Sequence, residues 1–190
     1  MKRNHWYTLA GVAAASATIY MIYTRSRASA ESAPYELLER DGGFELRDYP
    51  ELAVARSQGT GEDFGSAFRS LFRFISRGNS SHKKIAMTTP VLIDREGDDV
   101  VMDFVMPAGE PVPQPLDSDV TVGRREGGRV AALRFGGFMR AKAERRAIAR
   151  LRDVLAERGL RAKDDPVIAY YDAPAVPPPF RRNEVLIRVE

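Results

Sequence analysis

The sequence predicts an α+β fold: an antiparallel sheet curled into a distorted, open β-barrel, built from two βαβ-type pseudo-repeats and flanked by two helices. Three observations carry that expectation. Apolar residues recur at three- and four-residue steps around residues 64–75 and 140–158, the spacing of one helix face. Around them lie short runs that alternate apolar and polar residues, the two-residue period of strands. The turn Arg40-Asp41-Gly42-Gly43 also returns 85 positions later as Arg125-Glu126-Gly127-Gly128, each time followed by a strand, a helix and a strand pair.

At 190 residues, with 44% hydrophobic and 29% charged side chains, the chain supports one domain with a real core and leaves little room for a second. Its formal charge of +3 resides in residues 1–32, where Lys2, Arg3, Arg25 and Arg27 stand against Glu31. The remainder is electrically balanced and lacks the basic footprint of a nucleic-acid binder. The absence of cysteine excludes thiolate nucleophiles, disulfides, iron–sulfur clusters and cysteine-ligated zinc. With only His5 and His82, a multi-histidine metal site within one chain is excluded as well.

Residues 1–32 read as a leader and tether ahead of a domain at 33–190. The uncharged run from Trp6 to Tyr23 would reach roughly 27 Å as a helix, near the thickness of a bilayer core. Trp6, Tyr7, Tyr20 and Tyr23 mark its ends, where interfacial aromatics belong. These features predict a membrane anchor, a transmembrane helix, over a cleaved signal, although Ala28-Ser29-Ala30 resembles a cleavage site. The flanking charges favour an extracytoplasmic domain, periplasmic in a bacterium, the source that the Ala- and Arg-rich composition suggests.

Tyr35 to Arg40 and Phe44 to Arg47 predict a hairpin around Gly42-Gly43, and Leu52 to Ser57 extends the sheet. Thr60-Gly61-Glu62-Asp63 supplies a helix start. Phe64, Ala67, Phe68, Leu71, Phe72 and Ile75 follow on one face, with Arg69, Arg73 and Arg77 on or beside the other. Gly78 and Asn79 close that helix. Ile85, Met87, Thr89 and Val91 then alternate as a strand, which Pro90 should break or confine to an edge, having no N–H to donate. Val100 to Val105 is a further strand, and the prolines that follow it predict an extended loop. Val120 to Arg124 and Val130 to Phe135 predict a second hairpin around Gly127-Gly128. The second helix puts Ile148, Leu151, Val154 and Leu155 on one face, and Gly159 ends it. Val167 to Tyr171 and Glu184 to Val189 close the sheet.

Several segments carry more than periodicity. Lys84-Ile85-x-Met87-Thr88-x-Pro90-Val91, preceded by Gly78-Asn79, resembles the signature of the SOUL haem-binding family. So, in order, do Tyr35-Glu36, Arg47-Asp48-Tyr49-Pro50, Phe104-Val105-Met106-Pro107 and Pro113-x-Pro115-Leu116-Asp117-Ser118-Asp119-Val120. Phe135-Gly136-Gly137-Phe138, Ala169-x-Tyr171-Asp172-x-Pro174 and Arg181-Arg182-Asn183-Glu184-Val185 complete the match. The resemblance spans roughly residues 34 to 190 and implies the same open-barrel architecture.

For chemistry, the residues offer no nucleophile–base pair. A triad needs a histidine oriented by an acid, and His82 stands in a polar loop between Ser81 and Lys83. Asp98-Asp99 and Asp164-Asp165 fall in turns, which removes the parts for glycoside or zinc chemistry. A binding role needs less: an apolar wall with a cationic rim suits a planar macrocycle bearing carboxylates. The first helix offers Phe68, Phe72 and Phe64 as wall and Arg69 or Arg73 as partner, although periodicity alone would send those rings into the core.

The resemblance adds a site. Relatives hold a tetrapyrrole against this helix through apolar contacts with basic side chains near the propionates, and the matching positions are Phe72 and Arg73. Two further basic positions of the family fall near Gly65 and Pro177, so those contacts are absent here, and no axial histidine appears at Tyr49-Pro50-Glu51. Met87 and Tyr171 are left as candidates to approach an iron. The expectation is therefore weak haem or tetrapyrrole binding, as carrier or buffer and without strong axial histidine ligation. A module for another apolar small molecule and a haem-degrading or haem-dependent enzyme are the alternatives.

Overall fold

The computed structural model describes residues 31–60, 64–96, 99–138, 140–173 and 176–190. Its strands are β1 (Glu31–Ser32), β2 (Glu36–Asp41), β3 (Phe44–Tyr49), β4 (Leu52–Thr60), β5 (Thr88–Thr89), β6 (Val91–Glu96), β7 (Asp99–Val105), β8 (Thr121–Arg125), β9 (Gly128–Phe135), β10 (Val167–Tyr170) and β11 (Asn183–Arg188). The helices are α1 (Phe64–Ile75) and α2 (Ala141–Glu157), both where the apolar spacing places them.

Nine strands form one sheet in the order β2-β3-β9-β11-β10-β6-β7-β4-β8, and every pairing within it is antiparallel. Leaving β2 aside, the order reads the same from both ends. Each wing runs outward from the centre as the two strands after a helix, the strand before that helix, and one strand from the other half of the chain. α1 packs on β4 and β7, and α2 packs on β9 and β11, so each helix covers its own wing.

The expected second hairpin does not form. β8 pairs with β4 and β9 pairs with β3, so Arg125 to Gly128 is a corner between two wings. The chain turns a matching corner from Tyr49 to Leu52, and the registers Tyr49↔Gly128 and Leu52↔Arg125 run past both corners. β3–β4 and β9–β8 are thus one long antiparallel ribbon bent at its middle. The two corners touch: a Cβ on Gly127 would lie 2.4 Å from the Tyr49 carbonyl oxygen. Only glycine allows that approach. The Gly-Gly turns 85 residues apart are therefore different devices, a true hairpin at Gly42-Gly43 and a corner at Gly127-Gly128.

The sheet curls around this bend but does not close into a barrel, because its edge strands β2 and β8 do not pair with each other. Two apolar layers result. Leu71 and Phe74 of α1, Leu151 and Leu155 of α2, and Phe44, Leu133, Ile93, Phe104, Val185 and Ile187 of the sheet pack into the larger one. Val54, Leu92, Val105, Ala132, Ala169 and Leu186 face the opposite, concave side with Tyr49. The helix-side layer holds the larger set of buried apolar side chains, so more of the hydrophobic stabilisation resides there.

Two local expectations change. The strand expected from Ile85 is confined to β5 and β6, broken at Pro90 as the missing N–H requires. Ile85 instead donates its N–H to the Ile75 carbonyl at 2.9 Å, carrying the segment back to the end of α1. The left-handed residue closing α1 is Arg77, at φ 92°. Gly78 serves close packing, since a Cβ there would lie 2.7 Å from the Arg73 carbonyl oxygen.

The membrane anchor must be withdrawn, and with it the transmembrane helix and the periplasmic placement. No helix among the described residues is long and apolar enough to cross a membrane. α1 has 12 residues, about 18 Å, and the 17 residues of α2 include five charged Lys, Arg or Glu side chains before Leu151. The run from Trp6 to Tyr23 lies outside the described residues.

Candidate functional site

The amphipathic spacing of α1 buries Ala67, Leu71, Phe74 and Ile75 against the sheet. Phe68 lies at the boundary: half-buried, it meets Phe104 of β7 edge-on at 5.4 Å and stacks on Phe72 at 6.0 Å. Phe72 is left 50% exposed. A large aromatic ring half in water is the exception that asks for a reason.

Arg73, the residue after Phe72, donates from Nη1 to Asp117 Oδ2 at 2.8 Å. The proline-rich loop carrying Asp117 docks on the end of α1 through Leu116 N–H to Gly78 O and Ser80 N–H to Gln114 O. Asn79 fixes the turn between them from a fully buried position. Its Nδ2 donates to the carbonyls of Phe74 and Lys83 at 2.9 and 2.8 Å, and its Oδ1 accepts from Ser81 at 2.8 Å. Arg69 is exposed on the same helix. Met87, 37% exposed, belongs to the segment that Ile85 ties to Ile75. His82, the sole histidine of the described residues, is exposed in the loop after α1.

Tyr171 lies elsewhere. It packs into the concave layer, whereas Phe68 packs into the helix-side layer, so the sheet separates them. Its hydroxyl donates to Glu184 Oε2 at 2.8 Å, and the Arg182 guanidinium lies over its ring at 4.0 Å. Burial, then the charge of Glu184, push that hydroxyl well above the usual tyrosine range. The structure thus brings Phe68, Phe72, Arg69 and Arg73 together on one helix and leaves Tyr171 on the other side.

The concave face carries chemistry that periodicity did not reveal. Glu184, the second residue of β11, receives Arg47 at both carboxylate oxygens, at 2.6 and 2.9 Å. Arg182 adds a third hydrogen bond at 2.8 Å. Burial would raise this carboxyl, but Arg47, with Arg182 and Tyr171, outweighs it and holds Glu184 below the usual carboxylate range. On the other wing, Asp103 of β7 receives Arg56 through two bonds of 2.8 Å and Arg125 at 3.2 Å. Burial, partly offset by Arg125, pushes the neighbouring Asp94 carboxyl up.

Two cavities open on this face, and no residue of α1 lines either. One, of about 230 Å³, has Leu52, Leu92, Val105, Val130, Val167 and Leu186 as its floor and arginine ion pairs at its rim. The other, of about 320 Å³, is polar and lies between β2, β3, β9 and β11. The sequence signals only part of this, since Asp103 interrupts the apolar run Val100 to Val105, whereas Arg47 and Glu184 stand beside other polar residues. Residues 30–188 match the SOUL heme-binding protein family. The chain belongs to that family. None of the curated proteins compared with it matches.

Among solved structures, this SOUL domain is similar to a hydrolase from Listeria innocua, with 16% identity and a TM-score of 0.59 over 80% of this chain and 94% of that one. It is also similar to the EcmrR C-terminal domain, with 16% identity and a TM-score of 0.57 over 77% of this chain and 96% of that one. At such identities the likeness shows the fold alone. Within the SOUL signature, the threonine and asparagine positions hold the fold. Thr88 donates its hydroxyl to the Val105 carbonyl, and Asn183 donates to the Gly137 carbonyl at 3.2 Å.

Proposed function

We propose that the protein binds haem or a related tetrapyrrole on the exposed side of α1, as a carrier or buffer. The observation that carries this reading is Phe72, half in water and stacked on Phe68, with the Arg73 guanidinium on the adjacent residue. The ring pair offers a planar apolar wall. Arg73 offers a charge-assisted donor for a propionate, in exchange for its exposed bond to Asp117. Arg69, four residues before Arg73, supplies a second cation on the same helix. The residues therefore fit a tetrapyrrole held by apolar contact and rim charge, and family membership supports that ligand class. Met87, partly exposed in the segment that follows the α1 turn, is the candidate to approach an iron. An exposed site without an axial histidine implies weak binding.

Haemin titrated into the full chain should give a saturable Soret shift with about one site. Phe72→Asp should weaken it by about tenfold or more, as expected for a lost aromatic contact plus a repelled carboxylate. Arg73→Glu should weaken it as well. An unchanged titration in both variants would remove the reading.

The apolar cavity on the concave face favours a second reading, a module for another small apolar molecule. At about 230 Å³ it falls below the roughly 300–1,000 Å³ of drug-sized sites, so its guest is smaller than a tetrapyrrole. A displaceable apolar dye that responds to Leu186→Trp and ignores Phe72→Asp would support it.

A further inference from the structure

The symmetry of the sheet identifies an arginine without a partner, and we infer from it a second binding site, for a small dianion bearing phosphate or carboxylate oxygens. On one wing, Arg56 of β4 stands directly across from Asp103 of β7 in register and chelates it through Nε and Nη2. On the other wing the equivalent cross-strand pair is Arg134 of β9 and Glu184 of β11. Here the carboxylate is already taken. Glu184 Oε1 accepts from Arg47 and Arg182, and Oε2 accepts from Arg47 and Tyr171. Among the described residues, the Arg134 guanidinium makes no hydrogen bond or ion pair, and the side chain is exposed.

Arg134 lines the polar cavity of about 320 Å³, together with Arg40, Arg47, Arg182, Glu45 and Glu184. Four guanidiniums face two carboxylates, a surplus of two positive charges. The second carboxylate is consumed like the first: Glu45 accepts from Arg40 Nε at 2.9 Å and from Arg47 Nε at 2.7 Å. Arg40 commits only that nitrogen, so the outward nitrogens of Arg40 and Arg134 are the donors left to a guest. Gly42 and Gly43, at the tip of the β2–β3 hairpin, form a wall without side chains and leave the mouth open. Paired guanidinium donors match the two oxygens of a carboxylate or phosphate better than any lysine would. Convergent polar groups in a formed cleft are what a small-ligand site requires.

This site does not rest on the tetrapyrrole reading. It lies on the face of the sheet opposite α1, so its occupant is not the propionate edge of a macrocycle on Phe72.

Inorganic phosphate and malonate, titrated separately into the full chain by calorimetry at low ionic strength, test it and distinguish the two oxyanion types. At least one should bind saturably near one site, and added salt should weaken it. Arg134→Gln should weaken that binding by about tenfold or more, the scale of one charge-assisted hydrogen bond, and Arg134→Lys should restore part of it. Arg124→Gln, an exposed arginine paired with Glu51 at the bend of the ribbon, should bind as the unaltered protein does. Neither substitution touches a buried group, so the unfolding midpoint should hold. Two results overturn the inference: no saturable heat with either anion, or equal binding with and without the Arg134 guanidinium.

Discussion

Leu71 and Phe72 are neighbours in the sequence with opposite fates, and the contrast is a test. Leu71 is fully buried, whereas Phe72 is 50% exposed. Phe72→Asp should therefore leave the unfolding midpoint nearly unchanged while haemin affinity falls, whereas Leu71→Ala should lose about 2–5 kcal/mol of stability. Equal loss of stability in both would make Phe72 a packing residue. Glu184 gives a second test at this scale. Its carboxylate and the Arg47 guanidinium are 3% and 1% exposed, so removing one charge strands the other. Glu184→Gln should cost about 3–5 kcal/mol by denaturant melt. Its folded pKa is depressed, so the stability it contributes is fully present above the unfolded value of 4.5. That contribution is lost as pH falls through the lower folded value. The unaltered protein should thus lose stability on acidification below that point, and the slope should flatten in Glu184→Gln. The charged residue types were visible in the sequence. Their pairing was not, because Arg47 and Glu184 are separated by 137 positions.

At the level of elements, what the sequence made legible follows from locality. α1 and α2 announce themselves by spacing alone, and the Gly42-Gly43 hairpin forms where turn chemistry asks for it. Gly127-Gly128 carries the same turn signal but makes a corner, because strand partners are chosen by long-range packing. The sequence recorded the glycine and left out its reason, the backbone of Tyr49 to Glu51 passing against it. That reason predicts a result. Gly127→Ala puts a methyl into backbone atoms that cannot swing aside as a flexible side chain would. It should destabilise the protein by about 2 kcal/mol or more. Gly123→Ala on the adjacent strand β8, where nothing lies within 4 Å of the added carbon, should change stability by less than about 1 kcal/mol. Similar melts for the two would mean that the corners can relax apart, and the ribbon would then owe its bend to something other than that contact.

At the scale of the molecule, the sheet is a partition. The aromatic pair of α1 belongs to one side, and both cavities open on the other. A ligand on Phe72 and a guest on the concave floor therefore share no side chain. If they are independent, a change that fills the apolar cavity should not reach the tetrapyrrole. Val167, half-buried at the start of β10 and lining that cavity, is the position to use, since a larger side chain there extends into space already present. Val167→Phe should keep or slightly raise the unfolding midpoint, because filling a void restores contacts it forfeits. Its haemin titration should match the unaltered protein within about twofold, the additivity expected of distant sites. Should haemin binding vanish in Val167→Phe while the melt holds, the macrocycle would have to sit in the concave groove. The exposed face of α1 would then need another explanation for its half-bare phenylalanine.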